Sequence, residues 1–206
     1  KYSVLTCIQQ SVMNFGILMV QGLVNSFGTT VMAAFAAAVK IDTFAYMPAQ
    51  EFGNAFSLFT AQNYGARQKE RIKKGVKSAV KTAIIFCLVI SAAVFAGAEL
   101  LMSIFIDAGE REVIAVGAQY LRVEGAFYCG IGILFLLYGY FRAVNMPLMS
   151  VVLTVISLGT RVGLAYLLAA IPAVGVVGIW WSVPIGWFLA DAVGAAAYRK
   201  RIKQSR

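Results

Sequence analysis

Several charged side chains lie inside otherwise apolar stretches of the sequence. Lys40 and Asp42 occur in the run AVKIDTFAYMP, and Glu51 follows shortly after Pro48. In apolar surroundings a carboxylate or an amine can bind a cation, exchange a proton or form an ion pair, provided that water or a partner offsets its desolvation. What these residues can do therefore depends on the solvent around the segments that carry them.

Composition indicates that this solvent is a lipid bilayer. Of the 206 residues, 60% are hydrophobic and only 13% are charged, and the mean hydropathy is +0.78. Soluble domains carry about 25% charged residues. The charges are also bunched, which leaves apolar stretches long enough to cross hydrocarbon, about 20 residues each. The sequence therefore predicts an all-α integral membrane protein, and the first residue, Lys1, suggests a piece of a longer chain.

Turn residues and charges divide the chain into six predicted membrane helices that form a single lobe over residues 1–206. Their approximate limits are 3–25, 29–62, 76–104, 113–141, 148–170 and 175–198, followed by a basic tail over 199–206. Most of the 18 basic residues fall in the loop after the second helix, in the tail and at Lys1. The protein is expected in the cell membrane. Because basic residues favour the cytoplasmic side, both ends of this segment are expected to lie in the cytoplasm.

This topology places Lys40 and Asp42 deep in the membrane. Asp42 and Lys40 lie about 15–20 Å below the outer end of their helix. Arg161 lies at a similar depth, so either Asp42 or Asp191 could be its partner. Buried charges of this kind mark ion or substrate pathways, or else form neutralising structural pairs. Pro48 is the expected kink of the long second helix.

Polar amides form a narrow stripe along the first helix. At spacings of four or seven residues they fall within an arc of about 60°. The stripe either bonds to packed helices or lines a water-filled cavity. Its members are Ser3, Gln10, Asn14, Gln21 and Asn25.

Three further features have structural interpretations. Glu124 and Arg122 are expected to reach the outer interface by snorkelling, and Trp180 and Trp181 to form an aromatic belt at that surface. The basic segments determine topology and attract anionic lipid rather than nucleic acid, since they lack interleaved aromatic residues.

Motifs for enzymatic chemistry are missing from the sequence. It contains no GxxxxGK phosphate-binding loop and no histidine, and its three cysteines, Cys7, Cys87 and Cys129, have neither metal-ligand nor disulfide spacing. We therefore expect no enzyme activity and no cofactor.

Several motifs resemble the multidrug and toxic compound extrusion (MATE) transporters. The match rests on QGLVNSFG, a proline midway along a long second helix, AQNYGA before a basic loop, LFLLYGYFRAVNMP and SLGTRVGLAYLL. The resemblance is to the second, C-terminal lobe of a twelve-helix protein. It implies multidrug efflux by secondary active transport, in which organic and often cationic compounds are exported by alternating access against Na⁺ or H⁺. The partner would be the missing N-terminal lobe or a second copy of this lobe.

The coupling residues depart from the family pattern. Some members carry cation-coordinating acids on the first and fourth helices of the second lobe, whereas the middle of the fourth helix here reads FYCGIGILF and the first carries amides and hydroxyls. Asp42 and Glu51 are therefore the candidate acids by depth, with Na⁺ a candidate ligand of Asp42. Two alternatives are an exporter or flippase of lipid-linked oligosaccharides and a membrane packing subunit that transports nothing.

Overall fold

A computed structural model describes the backbone of residues 2–204 and the side chains of Cys7 and residues 9–203. Lys1 and the side chain of Ser3 lie outside this part, as do residues 205–206 of the tail. The described backbone forms seven α-helices. They are α1 (Tyr2–Asn25), α2 (Thr29–Gly65), α3 (Lys69–Ser103), α4 (Arg111–Gly125), α5 (Tyr128–Ala143), α6 (Pro147–Ala169) and α7 (Val176–Gln204).

The helices form a multi-pass membrane bundle. Within the described residues, α2, α3, α6 and α7 are each long and apolar enough to span a bilayer, and the bent pair α4–α5 would make a fifth span. The helix predicted over 3–25 is present as α1, but its opening side chains lie outside the described set and α1 is not among these spans. Sharp turns separate the helices; at Gly28, for example, φ is 98°, a conformation that glycine adopts most readily.

The predicted fourth helix is in fact two helices. It breaks at residues 126–127, and α4 and α5 are bent by 53° relative to each other. The amide of Phe127 bonds back to the carbonyl of Glu124 at 2.9 Å, which closes a tight turn instead of continuing the α-helical pattern. The break brings Glu124 at the end of α4 and Tyr128 at the start of α5 beside Asp42 of α2.

Two basic segments predicted as a loop and a tail are helical. α3 begins at Lys69, so only residues 66–68 separate it from α2, and α7 continues to Gln204. Lys, Arg, Glu and Gln are good helix formers, and the Glu70–Lys73 pair at 2.5 Å adds an (i, i+3) contact. The helices therefore extend beyond the apolar core, and charge alone was a poor indicator of where they end.

Gly139 of α5 allows a backbone contact with α2. A Cβ atom at Gly139 would lie 2.5 Å from the carbonyl oxygen of Gly53. We expect Gly139→Ala to lower the free energy of unfolding by about 1–3 kcal/mol, because α5 must then move away from α2. Gly159→Ala on α6 is the matched control, since no atom lies within 4 Å of its Cβ position. Thermal unfolding of both purified variants tests this, and equal melting temperatures would contradict the close contact.

Candidate functional site

Asp42 lies on the buried face of α2. Only 2% of its surface is exposed, and the neighbouring Ala38 and Ile41 are buried with it. The hydroxyl of Tyr128, at the start of α5, donates a hydrogen bond to Oδ1 of Asp42. Tyr128 is itself 1% exposed. The sequence indicated Asp42 by its expected depth, but it contained no sign of this tyrosine, which is 86 residues away.

Glu124 is a second buried acid beside Asp42. The expectation that Glu124 snorkels to the interface is wrong, because it is 2% exposed and interacts directly with Asp42. Arg122 does lie at the surface, where its guanidinium bonds to Glu99 at 2.8 Å. Residues 122 and 124 are separated by about 200° around the helix, so they occupy opposite faces. The predicted fourth helix therefore does supply a buried acid, just before the segment that the sequence indicated as lacking one.

Tyr120 and Arg161 complete what we call the carboxyl cluster, consisting of Asp42, Glu124, Tyr120, Tyr128 and Arg161. The Tyr120 hydroxyl and the Arg161 charge both act on the two acids. Arg161 Nε and Glu124 Oε1 are buried and have no hydrogen-bond partner among the described residues. Two acids thus face one cation, and Arg161 Nε and Glu124 Oε1 can each still form a hydrogen bond.

The carboxyl cluster borders a cavity of about 160 Å³ between α1, α2, α4, α5, α6 and α7. Asp42, Glu124, Tyr120 and Arg161 all line it, together with Tyr46 and several apolar side chains. A cavity of this volume with several polar groups on its wall can hold a few water molecules or a hydrated cation. The arrangement can therefore exchange a proton or bind a small cation, chemistry that a dry ion pair could not perform.

Aromatic rings form the wall behind the cluster. The Trp180 ring stacks on Phe35 at a centroid distance of 5.7 Å and meets Tyr120 edge-on at 4.9 Å. Trp180 is fully buried, so its assignment to an aromatic belt is wrong, whereas Trp181 is 43% exposed. Adjacent helical residues point about 100° apart, which explains why only one of the pair can lie at the surface. The rings fix the orientation of Tyr120 towards the acids.

The other charged candidates on α2 point away from the cluster. Lys40 is exposed, and it forms no ion pair with any residue that the structure describes. Glu51 is exposed as well and accepts a hydrogen bond from Asn54 at 3.3 Å. Pro48 lies on the same exposed face, and α2 continues through it as one helix. The structure therefore brings Asp42 to Arg161 and leaves Lys40 and Glu51 on an open surface.

The amide stripe of α1 is also exposed. Gln10, Asn14, Gln21 and Asn25 all face outward, and the Gln10 amide donates to Asn14 at 3.4 Å. Within the described chain no hydrogen bond from these four amides to another helix is found, so packing against the lobe's own helices does not explain the stripe. The inward amide on α1 is Gln9, which donates to Thr154 of α6 at 2.9 Å.

Asp191 on α7 does not serve as the partner of Arg161. It is 9% exposed, and neither carboxylate oxygen has a hydrogen-bond partner among the described residues. The proposed structural pair of Asp191 with Arg161 is thus not formed in this structure. Its charge instead acts on Tyr138, which also lines the cavity.

Comparisons with known proteins agree on the family. The MatE family model matches residues 3–167. Two Bacillus subtilis (strain 168) proteins are similar in sequence: the probable multidrug resistance protein YpnP, 33% identical over 150 residues, and the probable multidrug resistance protein YoeA, 24% identical over 162 residues. These alignments cover 73% and 78% of this chain but only 33% and 35% of the relatives, so the chain spans about a third of their length.

Solved transporter structures share the fold. A MATE protein in complex with MaL6 superposes with a TM-score of 0.91 at 22% identity, over 98% of this chain and 45% of that chain. A MOP superfamily transporter from Pyrococcus furiosus gives 0.90 at 22% identity, over 97% and 45%, and the Vibrio cholerae MATE transporter VcmN gives 0.87 at 20%, over 96% and 44%. With the family model matching most of its length, the chain belongs to the MatE family.

Proposed function

We propose that the chain is one lobe of an ion-coupled antiporter that exports organic, often cationic, compounds by alternating access. The observation that carries the proposal is the carboxyl cluster on the wall of an internal cavity. Two buried carboxylates side by side would repel each other unless a proton or a cation lies between them. Binding of Na⁺ or H⁺ at Asp42 and Glu124, and its release when a cationic substrate arrives, would couple the two movements.

The polar groups of the cluster suit either ion. Carboxylate and phenol oxygens are ligands that hard cations prefer, and Asp42, Glu124, Tyr120 and Tyr128 offer them from α2, α4 and α5. Tyr128 donates a hydrogen bond to Asp42, and Glu124 lies beside that acid, so a proton could be shared between the two carboxyl groups. Arg161 would offset one of the two carboxylates, so that a single bound cation brings the cluster to neutral.

Efflux from intact cells tests the proposal. The complete transporter should lower the accumulation of a fluorescent organic cation in a strain that lacks its own efflux pumps. The proton gradient and the sodium gradient are then dissipated in separate experiments. Only one of the two treatments should abolish export of the fluorescent cation, and that treatment identifies the coupling ion. Export that survives both treatments would contradict ion coupling.

A second lobe is expected to cover the exposed faces of α1 and α2. The amide stripe, Lys40 and Glu51 all lie on these faces, and polar side chains are unfavourable against lipid. The solved MATE structures are about twice as long as this chain. The missing N-terminal lobe, or a second copy of this lobe, would enclose a polar cavity against these faces.

Cysteine labelling tests that arrangement. In the complete transporter, without its native cysteines, single cysteines at Gln10, Asn14 and Gln21 should react with a small hydrophilic thiol reagent, because they line water. Cysteines at Val20 and Val24, which are fully buried in this lobe, are the controls and should stay unreactive. If the three stripe cysteines are as unreactive as the controls, the stripe lies against lipid or packed protein and the proposed cavity is contradicted.

The orientation is testable in the same way. We expect cysteines at Arg71 and Lys203 to react only from the cytoplasm, and one at Ala108 only from outside, because the basic ends of α3 and α7 lie at the same side. All three native residues are exposed. Labelling of position 108 from the cytoplasm would reverse the proposed topology.

The two alternatives explain the cluster less well. A flippase for lipid-linked oligosaccharides would need a basic cavity for the phosphates, whereas here two acids face one arginine. A packing subunit without transport gives no reason to keep a polar cavity beside buried acids, which is a costly arrangement.

A further inference from the structure

A separate cavity lies at the end of the bundle where the basic residues collect. It measures about 610 Å³ and is bordered by α2, α3, α5 and α7. Three cations and three tyrosines line it: Lys69, Lys73, Arg201, Tyr64, Tyr140 and Tyr198. This cavity is distinct from the one at the carboxyl cluster, and no residue of the carboxyl cluster lines it. We call it the basic pocket.

Arg201 is held in place on the wall of the basic pocket by uncharged groups. Its Nη2 atom donates to the carbonyl of Val144 and to the hydroxyl of Tyr64, both at 3.1 Å. A third contact is to the sulfur of Met146. The guanidinium carbon lies 5.6 Å from the centre of the Tyr64 ring. These contacts orient the side chain, but none of them carries a negative charge.

The charge balance of the pocket favours an anion. Glu70 is the acid on its wall, and it bonds to Lys73 at 2.5 Å. With three cations and one acid on its wall, the pocket lining carries a net charge of +2. The first turn of α3 borders the pocket, and its N-cap, Gln68, makes no side-chain capping bond. The positive end of the helix dipole therefore adds to the attraction for an anion.

The tyrosines indicate which anion. Tyr140 and Tyr198 meet edge-on at 4.9 Å and give the pocket an aromatic side next to its cationic one. Tyrosine is enriched at the level of lipid headgroups, and basic pockets between membrane helices bind the headgroups of anionic lipids. A soluble anion would use the guanidinium but not the rings.

We propose that the basic pocket binds the headgroup of an anionic glycerophospholipid. The phosphate diester accepts hydrogen bonds from the Arg201 guanidinium, with Lys69 and Lys73 beside it, and the glycerol packs against Tyr140 and Tyr198. The bound lipid joins the ends of α2, α3, α5 and α7. This inference requires membrane insertion only, and it does not depend on ion coupling or on the substrate.

Lipid binding by the purified complete protein tests the proposal. Native mass spectrometry in a mild detergent should show wild-type protein retaining phosphatidylglycerol in preference to phosphatidylcholine. Arg201→Gln should weaken the affinity for phosphatidylglycerol about tenfold, because a charge-assisted hydrogen bond is lost. Arg199→Gln is the matched control; it removes the same charge from an exposed site on the same helix and should retain wild-type binding.

Two further arms separate the alternatives. If Arg201→Gln does not yield folded protein, Lys73→Gln replaces it, with exposed Lys200→Gln as its control. Equal weakening by the pocket and control variants would show diffuse attraction to a basic surface and overturn the proposal. Phosphatidylglycerol should raise the melting temperature of the protein, whereas inorganic phosphate should not. An equal rise with phosphate would show that the pocket binds a free anion and would overturn the proposal of a lipid ligand.

Discussion

Asp42→Asn should abolish gradient-driven export by the complete transporter while the yield of folded protein stays close to wild type. Asparagine is nearly isosteric with aspartate and can still accept the hydrogen bond from Tyr128. It cannot carry the negative charge that attracts Na⁺ or H⁺. Efflux of an organic cation and the yield of monodisperse protein, measured on the same preparation, separate coupling from folding.

Asp107→Asn is the matched control for this experiment. It makes the same chemical change at an exposed position between α3 and α4, so both efflux and yield should be unaffected. A purely structural role for Asp42 would give the opposite result, a lower yield with normal transport per folded molecule. Normal efflux by Asp42→Asn would refute its role in coupling.

Arg161→Gln should lower the free energy of unfolding by about 2–3 kcal/mol. The substitution leaves Asp42 and Glu124 buried together without the cation whose charge acts on both of them. Adding Glu124→Gln to this variant should restore much of the loss, because one acid then remains where two repelled each other. Thermal unfolding of the single and double variants gives the coupling energy.

Arg122→Gln provides the comparison for an exposed ion pair. Arg122 and Glu99 are 42% and 64% exposed, so their pair should contribute less than about 1 kcal/mol. If Arg161→Gln is no more destabilising than Arg122→Gln, or if Glu124→Gln fails to compensate it, then Arg161 does not balance the acids.

Much of the architecture could be predicted from the sequence because the bilayer imposes simple requirements. Apolar runs separated by turn residues gave the helices, and counting residues from the helix ends brought Asp42 and Arg161 to a common depth. The interaction of the Arg161 charge with Asp42 agrees with that estimate. Depth depends on position along the chain, which the sequence contains directly.

The partners of Asp42 could not be predicted in this way. Glu124 was assigned to the interface by its distance from a helix end, an estimate that assumes a straight helix. The break at residues 126–127 invalidates that assumption, since it brings Glu124 and Tyr128 to the same side chain of α2. Which face of a helix is buried is likewise set by packing against distant segments, so Lys40 and Asp42 could not be told apart by depth alone.

Ion release upon substrate binding is the most direct test of coupling at the carboxyl cluster. The purified complete transporter, in weakly buffered detergent solution, would be mixed with a saturating organic cation while released H⁺ and Na⁺ are measured. We expect the wild type to release one of these ions when the substrate binds, and the Asp42→Asn, Glu124→Gln double variant to release none. Unchanged release by the double variant would show that the exchanged ion binds elsewhere and would contradict the proposed mechanism.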